Sequence, residues 1–166
     1  MSLSEMLEQW EQRLQALLAD CKYRVAYGNL RAQRFEWPGD GRVVTFALVY
    51  ELPGGSTSQI NIEYHRADGA FHLMDVDSAE ERCCRGGDAA LDALRETIKR
   101  IPERRLRRLH EDIERWFGEG KSSHEMFLEI NKLLQTDFKG GSLTHPELKA
   151  GIAYILELGR QNAGDA

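Results

Sequence analysis

Cysteine is scarce in this chain and badly spaced for a covalent framework. Cys21, Cys83 and Cys84 are its three cysteines, an odd count with one adjacent pair, and neighbouring cysteines rarely bridge without strain. The residue after Cys84 is an arginine rather than a second spaced cysteine, so no zinc pattern exists. A reducing cytoplasm is the expected setting. Long apolar runs are missing as well: nothing approaches the ~18 uninterrupted apolar residues of a membrane span. The N-terminal stretch is polar and acidic (Ser2, Ser4, Glu5, Glu8, Glu11). It has neither the basic start nor the apolar centre of a secretory signal. Catalytic signatures are also absent. No G-x-S-x-G stands around any serine, and no glycine-rich loop suits a phosphate. The five histidines (His65, His72, His110, His124, His145) share no i, i+4 spacing. No enzyme, no metal and no cofactor is expected.

What is present is the composition of an ordinary water-exposed protein, 42% hydrophobic and 30% charged over 166 residues. That length suits one domain, able to bury roughly 70% of its unfolded-chain surface. Ser2 and Glu5 form an S-x-x-E capping box. Leu3, Leu7, Trp10, Leu14, Leu17 and Cys21 then recur at four- and three-residue spacing, widened by Met6 and Leu18. This stripe either covers a sheet or forms a seam with a second helix. In the second case Leu3, Leu7, Trp10, Leu14 and Leu17 are the interface of a homodimer.

Four strands are expected next: Arg31–Trp37, Arg42–Leu52, Gln59–Arg66 and Ala70–Val76. Pro38-Gly39-Asp40-Gly41, Pro53-Gly54-Gly55-Ser56 and Asp68-Gly69 separate them with turn chemistry. The third strand alternates, with Ile60, Ile62 and Tyr64 on one face and Asn61, Glu63 and His65 on the other. The second, Val43 to Tyr50, is apolar on both faces, as a strand covered on both sides is. After the sheet, Ser78 and Glu81 read as a capping box opening a short helical turn that Gly86-Gly87 ends. Asp88 is the expected cap of a helix lined by Leu91, Leu94, Ile98 and Ile101. Pro102 marks a bend or restart, and Leu106, Leu109, Ile113, Trp116 and Phe117 continue the stripe. Ser122 with Glu125, and Thr144 with Glu147, open two more helices. The fold class is therefore α+β: an N-terminal helix on a four-stranded antiparallel meander (1–85), then about four helices (86–166), packed as one compact domain.

The fold reading resembles type III secretion chaperones, which are also small, acidic and α+β. That resemblance implies homodimerisation and partner binding and carries no residue with it. Thr136 to Glu147 resembles the second half of an EF-hand loop, with Gly141, Leu143 and Glu147 at its sixth, eighth and twelfth positions. The resemblance implies calcium, yet Thr136, Phe138 and Gly140 stand where its first three ligands belong. A helical hairpin explains Gly141 and Glu147 equally well. His65 and His72, on successive strands with Glu63 and Asp75 nearby, are the one metal-like constellation. Solvent-facing strand histidines are the commoner explanation.

Charge is concentrated in one place. Between Arg95 and Arg108 stand seven basic residues against two acids, a net +5 in a chain of formal charge −5. Arg100, Arg104, Arg105, Arg107 and Arg108 are the candidate basic patch. Glu111, Asp112 and Glu114 follow at once and can pair with it at i+4, leaving a merely solvated face. An acidic protein surface is the next reading. Nucleic acid is disfavoured by the chain's negative charge and by the lack of aromatics within the patch. The leading functional expectation is a non-enzymatic adaptor, chaperone-like or regulatory protein using an apolar sheet or helix surface. A nucleic-acid or anion binder comes second. A small-molecule binder with a pocket lined by Phe46, Tyr50, Tyr64 or Phe71 comes third.

Overall fold

A computed structural model describes residues 2–20, 31–36, 42–54, 56–135 and 143–164. Helix α1 (Leu3–Asp20) opens on the expected box: the Ser2 amide donates to Glu5 Oε2 at 2.7 Å, and the Glu5 amide donates to Ser2 Oγ at 3.2 Å. Strands β1 (Arg31–Glu36), β2 (Val43–Glu51), β3 (Thr57–His65), β4 (Ala70–Asp75) and β5 (Glu81–Arg85) form one sheet in that order, a meander. The N-terminal helix, antiparallel sheet and following helices make the α+β architecture expected. Cys21, the Pro38–Gly41 turn and Gly140-Gly141 lie outside the described residues.

One element differs from expectation. Ser78-x-x-Glu81 does not open a helical turn; β5 lies there. Asp75 Oδ1 accepts the Asp77 amide at 3.0 Å and Ser78 Oγ accepts the Glu80 amide at 3.4 Å. These two-residue loops compete directly with a helix cap. Ala79 takes φ 57 and swings the chain back against β4. A helix squeezed between this turn and Gly86 would also be too short to repay its nucleation.

The chain divides into two units, Met1–Tyr50 with Thr57–Arg100, and Glu51–Ser56 with Ile101–Ala166. In the first unit the period-two rule decides what is inside. Ile60, Ile62 and Tyr64 are buried, whereas Asn61, Glu63 and His65 are half-exposed. Val44, Phe46, Leu48 and Tyr50 are buried on one face of β2, and Ala47 and Val49 on the other. Leu7, Trp10, Leu14 and Leu18 of α1 cover the sheet. The Trp10 ring lies 4.7 Å from Phe71 and 5.1 Å from Phe46, pairs worth about 0.5–1.5 kcal/mol each beyond their buried area. Its Nε1–H donates to the Gly87 carbonyl at 3.1 Å. Helix α2 (Gly87–Lys99) begins there and buries Ala90, Leu91, Ala93, Leu94 and Ile98. Asp88 does not cap it. Gly86, at φ 96, holds the cap position without a side-chain bond, and Asp88 pairs with Arg13 of α1.

The second unit holds α3 (Ile101–Gly118), α4 (Ser123–Gln135) and α5 (His145–Gly164). Pro102 sits in the first turn of α3, where its missing amide hydrogen costs nothing. Leu109, Ile113, Trp116, Met126, Ile130, Leu143 and Ile155 form the core. Gly151 of α5 allows close approach: a Cβ there would lie 3.1 Å from both Ile130 and Leu109. No described helix is long and apolar enough to cross a membrane.

Candidate functional site

The antiparallel register of β3, β4 and β5 sets one row of side chains against the next. Glu63 stands opposite His72, Asn61 opposite Met74, His72 opposite Cys83 and Met74 opposite Glu81. Because α1 and α2 cover the opposite face, this row is the outer face of the first unit's sheet. A concavity of about 400 Å³ opens on it, lined in part by Asn61, Glu63, His65, His72, Met74 and Cys83.

The two histidines do meet. Their ring centroids are 4.1 Å apart with 45° between planes. Glu63 Oε2 lies 3.0 Å from His65 Nε2, and Asp68 Oδ2 lies 3.5 Å from His72 Nε2. Asp68 also accepts the Ala70 amide at 3.0 Å. That bond is the main cause holding its carboxyl below the ordinary value, with His72 adding to it. Asp75, expected beside the histidines, instead faces inward and is buried. Among the described residues, no group of three or more His, Cys, Asp or Glu is placed to hold a metal ion. Cys83 and Cys84 are free thiols. Cys83 is exposed on the outer face. Cys84 is half-buried on the inner one, and its thiol is pushed up chiefly by burial.

The five arginines expected to form a patch are not all on the surface. Arg104 is 6% exposed and Arg105 is fully buried at 0%. Arg105 Nε and Nη2 donate to the two carboxylate oxygens of Glu147, each at 3.1 Å, and Nη1 donates to the Glu51 carbonyl. Glu147 Oε1 also accepts the Thr144 amide at 2.8 Å, so one carboxylate both caps α5 and neutralises the guanidinium. That double role explains Glu147 without calcium. Arg100 lies 3.5 Å from Glu80, Arg108 lies 3.9 Å from Asp112, and Arg107 is exposed. The signal for Arg105 was available in the sequence. Ile101, Arg105, Leu109 and Ile113 follow at i+4 steps, as do Leu143, Glu147, Gly151 and Ile155. Each charge therefore sits within an apolar stripe.

The proposed seam residues divide similarly. Leu7, Trp10 and Leu14 are buried within the first unit, while Leu3 and Leu17 are half-buried. Phe46, Tyr50, Tyr64 and Phe71, the candidate pocket lining, fill the core instead. What sequence reasoning missed is β5 and with it Glu81, Cys83 and Arg85. Their string has no apolar alternation to announce a strand. No protein-family model, no curated protein and no solved structure matches this chain.

Proposed function

We propose that the protein is a non-enzymatic interaction module of the cytoplasm whose binding face is the outer surface of β3–β5. The observation that carries this reading is the concavity of about 400 Å³ on that face, lined by the tilted His65–His72 pair together with Glu63 and Glu81. Open to solvent and lined by charges of both signs (Glu63, Glu81 and Arg82) beside apolar surface, it suits an extended polypeptide segment better than a fully buried ligand. Met74 within it and Val76 just past β4, exposed at 37% and 49%, add apolar contact. Thiol catalysis is less well supported. Cys83 stands opposite His72, yet among the described residues no hydrogen bond joins them, and a nucleophile needs its base within reach. Anion binding by the arginines loses two of its five members to burial.

Photo-crosslinking in the cells of origin tests the reading. A photoreactive phenylalanine analogue placed at Asn61 or Met74 should yield a discrete protein adduct. One placed at Leu156, exposed on α5, should not. The adduct should vanish when His72→Glu and Glu63→Arg are added. Equal labelling from all three positions, or none from Asn61 and Met74, would overturn it.

A further inference from the structure

β5 ends the sheet, and its outer edge is unpaired among the described residues. Which of its backbone groups point outward follows from two bonds. The Asp75 amide donates to the Glu80 carbonyl at 3.0 Å, and the Val76 amide donates to the Gln59 carbonyl at 3.1 Å. Hydrogen-bonded and non-bonded pairs alternate along an antiparallel ladder. The first bond therefore assigns the β4–β5 bonds to the pairs Leu73–Arg82 and Phe71–Cys84. The second independently turns Met74, His72 and Ala70 toward β3, which agrees. Glu81, Cys83 and Arg85 consequently direct their amides and carbonyls away from the sheet.

Those same three residues place their side chains on the outer face, in the order acid, thiol, base. Glu81 and Arg85 are exposed, and neither has an ion-pair partner among the described residues. Arg82, which faces the other way, is already held 3.1 Å from Glu96 of α2. Edge strands usually carry charge to repel another strand. This one instead complements itself. With a two-fold axis through Cys83, an antiparallel second β5 sets Glu81 opposite Arg85 and Arg85 opposite Glu81. Opposite charges directly across a strand pair favour it, and like charges oppose it. The outward amides and carbonyls of all three residues then find partners on the second copy.

We infer that β5 pairs edge to edge with β5 of a second copy of this chain, joining two sheets into one across a two-fold axis at Cys83. The inference goes beyond the binding-face reading and does not rest on it. It does bring the concavities of two copies, each reaching Cys83, to either side of one axis. An interface of one short strand per copy is small, so the dimer is a weak one.

Sedimentation velocity of the full chain over a concentration series is the test. The wild type should form dimers at micromolar to high-micromolar concentration. Glu81→Arg alone and Arg85→Glu alone each place like charges opposite one another and should weaken self-association at least tenfold. An equimolar mixture of these two variants restores both opposite-charge pairs and should dimerise where neither does alone. Cys83→Pro removes the central amide without touching the β4 ladder, since proline is tolerated where the N–H side faces solvent. It should abolish the dimer while leaving the far-UV circular dichroism unchanged. A bismaleimide should link two wild-type chains, but not two Cys83→Ser chains. A wild type that stays monomeric at high micromolar concentration overturns the inference. So do single charge variants that associate as the wild type does, or a mixture that fails to rescue.

Discussion

Replacing Arg105 with methionine removes a buried charge while nearly preserving side-chain volume. It leaves the Glu147 carboxylate, 7% exposed, without the guanidinium that holds both of its oxygens at 3.1 Å. It also deprives the Glu51 carbonyl of a donor. Removing one member of a buried pair typically costs about 3–5 kcal/mol, against a whole-domain stability of about 5–15 kcal/mol. With a urea m-value near ~2 kcal/mol per molar, the unfolding midpoint should fall by about 1.5–2.5 M. The double variant Arg105→Met with Glu147→Leu removes both charges and should recover most of that loss. What remains should approximate the two hydrogen bonds still lost, from the Thr144 amide to Glu147 and from Arg105 to the Glu51 carbonyl, about 1–2 kcal/mol together. Arg107→Met, on the exposed side of the same helix, should stay within about 0.5 kcal/mol of the wild type. Urea titrations followed by far-UV circular dichroism measure all three, and an unchanged m-value licenses the comparison. If Arg105→Met behaves like Arg107→Met, the ion pair is not what organises the second unit, and the reasoning fails.

Two further perturbations probe other contacts. Gly87→Ala puts a Cβ 2.6 Å from the Trp10 ring, a clash the stacked indole can relieve only by moving off Phe71. It should destabilise the first unit by about 1–3 kcal/mol, read as a lower thermal midpoint; an unchanged midpoint would show the indole to be loosely held. Tyr154, ring-stacked on His110 at 4.2 Å, has its phenol pushed from 10.0 up to about 12, first by its bond to Glu114, then by burial and nearby carboxylates. The folded chain therefore holds this proton more tightly than the unfolded one. The stability it confers is complete below pH 10 and is lost as pH rises through about 12. Over that interval the wild type should lose more stability than Tyr154→Phe, and parallel curves would contradict the assignment.

Local chemistry makes much of the fold legible in the sequence. The boxes at Ser2–Glu5, Ser122–Glu125 and Thr144–Glu147 all cap helices as read. The identical string at Ser78–Glu81 does not, because Asp75 and Ser78 bind the backbone two residues on and make a turn there. A capping box states a preference, and neighbouring side chains decide whether it is used. The binding face was half legible. Alternation in β3 put Asn61, Glu63 and His65 outside, and the short hairpin suggested that His65 and His72 approach. β5 was illegible, since a strand with charge on both faces carries no period-two signal. Runs of arginine hid Arg105 for the opposite reason. Composition averaged over the segment spoke for a surface, while its phase against Leu109 and Ile113 spoke for the interior, and phase prevailed.

Glu51–Ser56 belongs to the second unit although the residues on both sides belong to the first. Arg105 grips the Glu51 carbonyl from 54 positions downstream. During synthesis this short turn leaves the ribosome well before any of the three helices it serves. The second unit thus closes only when α5 has delivered Glu147, long after the turn itself has emerged. Its helices are not a contiguous cassette that could be excised or grafted elsewhere intact. A protease nick or an inserted tag between β2 and β3 would injure the helical unit, whose own genetic segment had been left untouched.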